Sequence, residues 1–443
     1  MDHKLAAPTP PLGWNSWDCY GAAVTEDEIR GNAEYMAKHL KAFGWSYITV
    51  DIQWYEPYAN SSQYRPFVPL VMDDYSRLMP AENRFPSAAG GQGFKPLADY
   101  VHSLGLQFGI HIMRGIPRQA VHAAAPILGT SATARDIAHT NSICPWNTDM
   151  YGVDASKEGA QAYYDSLFEL YAQWGVDLVK VDDIAASKLY DTHQPEITLI
   201  SKAIERCGRP MVLSLSPGPA PVAYSAFFAE HANMWRVTDD FWDQWPLLLD
   251  MFDRCRVWQG IPQAGSWPDC DMLPLGHIGI RSVDGGGSDR WTRFTRDEQL
   301  TMMSLWSIFR SPLIFGGELR DCDDWTLSLL TNREVLRMHR ESRGAKEALR
   351  QGDLIVWTAE DAEGSRYAAV FNIGESPLPL DLALQQIGLT GTAAGTELWS
   401  GAPAELTAGV LRATVPPHGV RLYRFFENTA IRKIPPLARS FTV

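Results

Sequence analysis

A pattern of helical period that runs into a glycine and then straight into a short apolar run occurs three times in the first part of this chain, and no other feature constrains its fold as much. Thr25-Glu26-Asp27-Glu28 reads as a capping box, and Ile29, Met36, Leu40 and Phe43 recur on one face until Gly44, with a strand-type run at 47–53 directly behind. Residues 94–104 end at Gly105 ahead of 107–113, and 160–173 end before Gly175 and the run 177–182. Helix and strand signals that alternate in this way predict a parallel sheet joined by crossover helices. The candidate strands are 12–17, 47–53, 107–113, 177–182, 211–216, 234–238, a weaker one at 261–266, and 313–315. Eight is the number that closes a (β/α)8 TIM barrel, so the expected class is α/β.

Beyond about residue 345 the texture changes. Short β-type runs at 353–358, 367–372, 378–384, 397–399 and 420–425 are separated by turn residues, which suggests an antiparallel β-sandwich. The expected division is a barrel over 1–340 and a β domain over 345–443. Of the 16 tryptophans, 14 precede the β domain, so aromatic surface suited to stacking on a sugar belongs mainly to the barrel. A net charge of −13 argues against nucleic acid and anionic membranes as partners, since both need a basic surface. No run approaches the roughly 20 apolar residues of a membrane span, and MDHKLAAPTPPLGWNSW lacks the apolar core of a secretory signal. The expectation is a soluble, cytoplasmic protein acting on a small-molecule or oligosaccharide substrate, with a homo-oligomer left open. Cys19, Cys144, Cys207, Cys255, Cys270 and Cys322 are scattered without zinc-type spacing, so free thiols, no metal and no cofactor are expected.

In a parallel barrel the active groups sit at the C-terminal ends of the strands. Asp182-Asp183 ends one apolar run, and Asp239-Asp240 follows Trp235-Arg236-Val237-Thr238. Two carboxyl groups on one rim suit glycoside hydrolysis, either member of each doublet being a candidate, with helix capping as the alternative use. Strand alternation puts Lys180 on the side of Asp182, where a lysine inside a barrel needs a carboxylate or a ligand. Arg236, four before Asp240, would also point inward. Trp14, Trp17 and Trp54 stand near the ends of the first two strands with Asp51 close by, a combination of aromatic platform and hydroxyl acceptor. Residues 56–93 and 114–152 are long, rich in turn formers, and expected to wall the pocket.

At these residues the chain resembles glycoside hydrolase family 27, the α-galactosidase and α-N-acetylgalactosaminidase family. The likeness runs through Pro10-Pro11-Leu12-Gly13-Trp14-Asn15-Ser16-Trp17, Val50-Asp51-Ile52-Gln53-Trp54, Lys180-Val181-Asp182, Trp235-Arg236 to Asp240, and Trp267-Pro268-Asp269-Cys270-Asp271-Met272-Leu273. It implies a TIM barrel with an antiparallel β domain, Asp182 as nucleophile and Asp240 as general acid/base of a two-step retaining mechanism. It further implies sugar contacts from Asp51, Lys180, Arg236 and Asp271, with Trp14 and Met272 lining the pocket. Lys180 should then hold the Asp182 carboxyl down, while burial and a like charge should raise that of Asp240.

Three departures bear on specificity. Ile52 stands where α-galactosidases usually carry a second aspartate, which removes a polar contact and favours a sugar without a hydroxymethyl group. His111-Ile112-Met113-Arg114 replaces a tyrosine-containing pattern: His111 could take the tyrosine's place, and Arg114 could meet an acidic or extended substrate or pair with a loop aspartate. Ser214-Leu215-Ser216-Pro217 carries small residues, and Ser216 could make room for a 2-substituent. The implied activity is exo-acting removal of a terminal α-linked galactose or N-acetylgalactosamine. A β-L-arabinopyranosidase is the alternative within the class, and an inactive sugar-binding protein the alternative outside it.

Overall fold

The structure is a computed structural model that describes residues 2–60, 64–187, 189, 191–282, 287–389 and 393–427. It divides into two compact units, Met1–Glu341 and Ser342–Val443. The first is built on eight parallel strands: β1 Leu12–Asn15, β2 Tyr47–Val50, β3 Gln107–Met113, β4 Leu178–Asp182, β5 Val212–Leu215, β6 Met234–Arg236, β7 Trp267–Asp269 and β8 Leu313–Phe315. They pair in the order β7-β6-β5-β4-β3-β2-β1-β8, and a parallel bridge from Leu273, just past β7, to Phe315 of β8 draws the two edges together. Seven strands fall where the alternation put them. The seventh in sequence lies at Trp267–Asp269 rather than at 261–266, because residues 263–266 form a turn closed by Ser266 N–H donating to the Gln263 carbonyl.

Alternation along the strands separates a helix-facing layer from an inner one. Tyr47, Leu178, Val212, Met234, Trp267 and Ile314, one from each of six strands, form an apolar cluster inside the barrel. Two residues further along β2, β4 and β6 the same face carries Thr49, Lys180 and Arg236, and the β2 and β4 faces end at Asp51 and Asp182. The barrel thus has an apolar floor beneath a charged layer. The capping box of the first long helix is formed as expected, with Glu28 accepting from the Thr25 amide at the start of Glu26–His39.

The segment after β3 is more ordered than its composition suggests. It holds helices Arg118–Ala123 and Ala134–Ile137 and a small antiparallel sheet in which Met150–Val153 pairs with Ile116–Pro117 and Ala138–Ile143. Among the described residues no helix is long and apolar enough to cross a membrane.

The second unit is antiparallel. Arg343–Gln351, Leu354–Glu360, Arg366–Asn372, Val420–Glu427 and Ala393–Glu397 form a five-stranded sheet in that order, and Leu378–Ala383, Val410–Val415 and Glu405–Thr407 a three-stranded one. Val356, Val370, Leu382, Leu411 and Phe425 pack in the core between them. This is the β-sandwich read from the sequence.

Candidate active site

A cavity of about 210 Å³ opens over the charged layer of the barrel. Asp51, Ile52, Lys180, Asp182, Arg236, Asp240, Asp271 and Met272, all singled out in the sequence, line it and so meet at one place.

Each is placed by its strand. Asp51 continues the inward face of β2, and its Oδ2 accepts from Lys180 Nζ at 3.0 Å and from Asn15 Nδ2 at 2.7 Å. Burial pushes the Asp51 carboxyl up, but His111, Lys180 and Asn15 outweigh it and hold the group below the usual carboxylate range. Lys180 lies two before Asp182 on β4. Burial lowers its pKa, yet Asp51 and Asp182 more than compensate, so it stays a cation. Asp182 ends β4; His111 Nε2 lies 3.0 Å from its Oδ2, and the Asp183 amide donates to its Oδ1 at 2.8 Å. Burial opposes ionisation here as well, but the His111 hydrogen bond and charge and the nearby Lys180 hold the carboxyl well below its ordinary value. His111 is fully buried and faces inward from β3, paired in register with Lys180. Facing the Asp182 carboxylate, Nε2 is the nitrogen that donates.

The second half of the site comes from β6 and β7. Buried Arg236 reaches Asp271 Oδ1 at 2.9 Å through Nη1 and Asp240 Oδ1 at 3.1 Å through Nη2. Asp271 Oδ2 also accepts from the Phe241 amide at 2.8 Å. Burial raises the Asp271 carboxyl to about 7, with Asp240 and Asp269 adding to the rise and Arg236 opposing it. Asp240 departs from expectation. Its side chain is 61% exposed, because it sits four residues past the end of β6 in the loop at the mouth rather than inside the barrel.

Five of the singled-out residues do not line this cavity. Trp14 shares β1 with Gly13, whose partners Tyr47 and Ile314 belong to the inner cluster, so Trp14 faces the helix layer and donates to the Gly317 carbonyl at 2.7 Å. Trp54 is fully buried against Tyr55, Phe94 and Trp174. Both are core tryptophans. Arg114 faces away from the cavity and pairs with Asp183 at 2.8 Å and Glu196 at 3.0 Å, the loop-aspartate alternative rather than a substrate contact. Ser216 is fully buried with its Oγ shielded, and Pro217 forms the wall there. His111 acts on the site through Asp182 without lining the cavity.

The aromatic wall comes instead from Trp17, Tyr64, Trp146, Phe241 and Trp242. Trp17 stacks on Tyr64 with ring centroids 6.1 Å apart, and Tyr64 meets Trp146 at 5.6 Å. Tyr64 and Trp146 belong to the two long segments expected to wall the pocket, although neither stands out in the sequence. Asp18 and Asp239 also line the cavity. Burial, joined by Asp271, Asp240 and Asp51, raises the Asp18 carboxyl well above its ordinary value and favours its neutral form. The strand-end position already points to Trp17 in the sequence, but an aspartate inside a short helix such as Asp18 gives no such signal.

The family described as Alpha galactosidase A matches residues 153–341, and that described as the Alpha galactosidase C-terminal beta sandwich domain matches 351–425. Alpha-galactosidase 2 of Arabidopsis thaliana is 26% identical over 97% of this chain and 92% of its own. A crystal structure of a family 27 β-L-arabinopyranosidase from Geobacillus stearothermophilus is 66% identical, covering 97% of this chain and 99% of that one with a TM-score of 0.96. A Bacillus halodurans structure whose α-N-acetylgalactosaminidase name is provisional is 59% identical over 95% and 98%, with a TM-score of 0.86. Barrel, β-sandwich and these relatives together make the protein a glycoside hydrolase. Within that class, the chain belongs to glycoside hydrolase family 27.

Proposed function

We propose that the protein is an exo-acting, retaining β-L-arabinopyranosidase. The observation that carries the reading is Ile52: a buried isoleucine beside Asp51 in the wall of a small cavity, where it offers a pyranose no hydrogen bond. β-L-Arabinopyranose has the ring stereochemistry of α-galactose without the hydroxymethyl group, so an apolar wall costs it nothing and penalises galactose, whose hydroxyl would be desolvated unpaired. The 66% identity to an enzyme named for this activity supports the same sugar. A second reading, α-galactosidase, rests on curated relatives such as Alpha-galactosidase 2. The case for N-acetylgalactosamine weakens with Ser216 outside the cavity wall.

In this reading Asp182, kept ionised, attacks the anomeric carbon while the leaving oxygen takes a proton from Asp240. The glycosyl ester on Asp182 is then hydrolysed by water that gives its proton back to Asp240, so the configuration is retained. Exposure of Asp240 at the mouth suits a group that serves both the leaving group and the incoming water. Asp51 and Lys180 bind ring hydroxyls as acceptor and donor, and Arg236 lies near the 2-hydroxyl.

A panel of nitrophenyl β-L-arabinopyranoside, α-galactoside, α-N-acetylgalactosaminide and α-glucoside tests the reading, with the first-formed anomer followed by NMR. Fastest turnover of the arabinopyranoside with retention is expected. Faster hydrolysis of the α-galactoside would move the assignment to the second reading, and saturable binding without turnover of any member would point to a sugar-binding protein.

A further inference from the structure

We propose that Arg114 is a positioning residue: it holds Asp183 in a left-handed backbone conformation that aims the Asp183 amide at Asp182. The proposal rests on the reading of Asp182 as nucleophile given above.

Asp183 has φ 56°, a conformation that residues with a Cβ rarely adopt and that Asp tolerates better than most. Its amide donates to Asp182 Oδ1 at 2.8 Å, while His111 lies 3.0 Å from Oδ2, so each oxygen of Asp182 has one fixed partner. Arg114 grips Asp183 at two points: Nε donates to its carbonyl at 2.7 Å and Nη2 to its Oδ2 at 2.8 Å. The Arg114 amide also donates to the Asp182 carbonyl at 3.0 Å, so the two residues are tied through both backbone and side chain. The guanidinium is itself anchored, since Nη1 donates to Glu196 Oε1 and Ser142 Oγ, each at 3.0 Å, and Glu196 Oε2 accepts from Tyr164 Oη at 2.6 Å. A lysine could carry the charge but not this fork. Arg114 stands outside the cavity, so it can act on the reaction only through where it holds the Asp182 carboxylate.

A role in fold stability alone would lower Tm without separating kcat from KM. A positioning role predicts a split: Arg114→Lys should lower kcat by roughly a hundredfold, as for a nucleophile displaced by about 1 Å, with KM and the Ki of the free sugar product changed by less than about twofold. The Asp183 series supplies an independent reading of the backbone. Asp183→Asn keeps an acceptor for Arg114 and should retain most activity. Asp183→Gly keeps access to the left-handed conformation but loses the side-chain anchor, and should fall between Asn and Ala. Asp183→Ala loses both and should be the least active.

Each variant is assayed on the nitrophenyl glycoside turned over best, with Tm measured alongside. A folded Arg114→Lys with kcat within about twofold of the parent would overturn the proposal, as would KM and Ki rising in step with the loss. Should Arg114→Lys fail to fold, the Asp183 series decides, and equal kcat for the Ala and Asn variants would overturn it. Asp182→Gly with added azide tests the underlying reading separately. Azide displacing the leaving group to give a glycosyl azide of inverted configuration supports Asp182 as nucleophile, and no acceleration by azide rejects that assignment whatever the Arg114 series gives.

Discussion

His111 Nε2 lies 3.0 Å from Asp182 Oδ2, and the imidazole is fully buried. An Nε2–H donor beside a carboxylate favours its ionised form. Replacing it by His111→Phe should therefore raise the Asp182 pKa and move the acidic limb of kcat/KM to higher pH. Loss of a charge-assisted hydrogen bond of about 1.5–3 kcal/mol corresponds to a displacement of that limb by roughly one to two pH units. The sign also applies to folding: a carboxyl with a depressed native pKa stabilises the protein above its unfolded value of about 3.9 and loses that contribution as pH falls below it. The variant should lose less stability over that acidic range than the parent, and acid titrations of the two compare them directly.

Ile52 predicts an exchange of preference. Ile52→Asn places a neutral donor and acceptor beside Asp51 and should raise the ratio of α-galactoside to β-L-arabinopyranoside kcat/KM by roughly 10–200-fold. A ratio that stays put would mean that Ile52 does not contact the position of the hydroxymethyl group.

Asp271→Ala strips Arg236 of a buried partner and leaves its charge facing the exposed Asp240 alone. Breaking such a pair costs about 3–5 kcal/mol, so a large drop in Tm and a raised KM are expected. Asp250→Ala provides the contrast. Its partner Arg254 lies one helical turn away at the surface, and losing a pair of this kind costs about 0–1 kcal/mol. Similar Tm shifts in the two variants would contradict the burial of the Arg236 pair.

All six cysteines are free, and four of them, Cys19, Cys144, Cys255 and Cys270, are buried. A thiol reagent should therefore label no more than Cys207 and Cys322 in the native protein and all six after unfolding. A reductant should leave Tm unchanged.

Helix–glycine–strand order and strand-end carboxylates made the barrel and the Asp51, Lys180, Asp182 and Arg236 group legible, because an inward residue keeps its face every second position. Asp271 was reached only through the resemblance to family 27, its strand lying at Trp267–Asp269 and not at 261–266. The same arithmetic needed one fact that the sequence lacks, namely which residue of β1 looks inward. Gly13 does, so Trp14 turned out to be core and Trp17, beyond the strand, reached the cavity. Loop residues have no period to follow. Tyr64, Trp146 and the exposed setting of Asp240 depend on how long segments fold back over the barrel, and Arg114 found its partners 69 and 82 residues away.

Even with Asp18 neutral, the carboxyl groups of Asp51, Asp182, Asp239, Asp240 and Asp271 in the cavity wall outnumber its two cations, and Lys180 and Arg236 are each already committed to an aspartate. Low-dielectric walls concentrate such a field, so the mouth sorts ligands by charge before stereochemistry enters. A uronate or a phosphosugar meets repulsion, whereas a protonated iminosugar is drawn in, and its Ki should rise with ionic strength while that of free arabinose stays flat. The same field favours the positive charge that grows on the sugar ring as its glycosidic bond breaks.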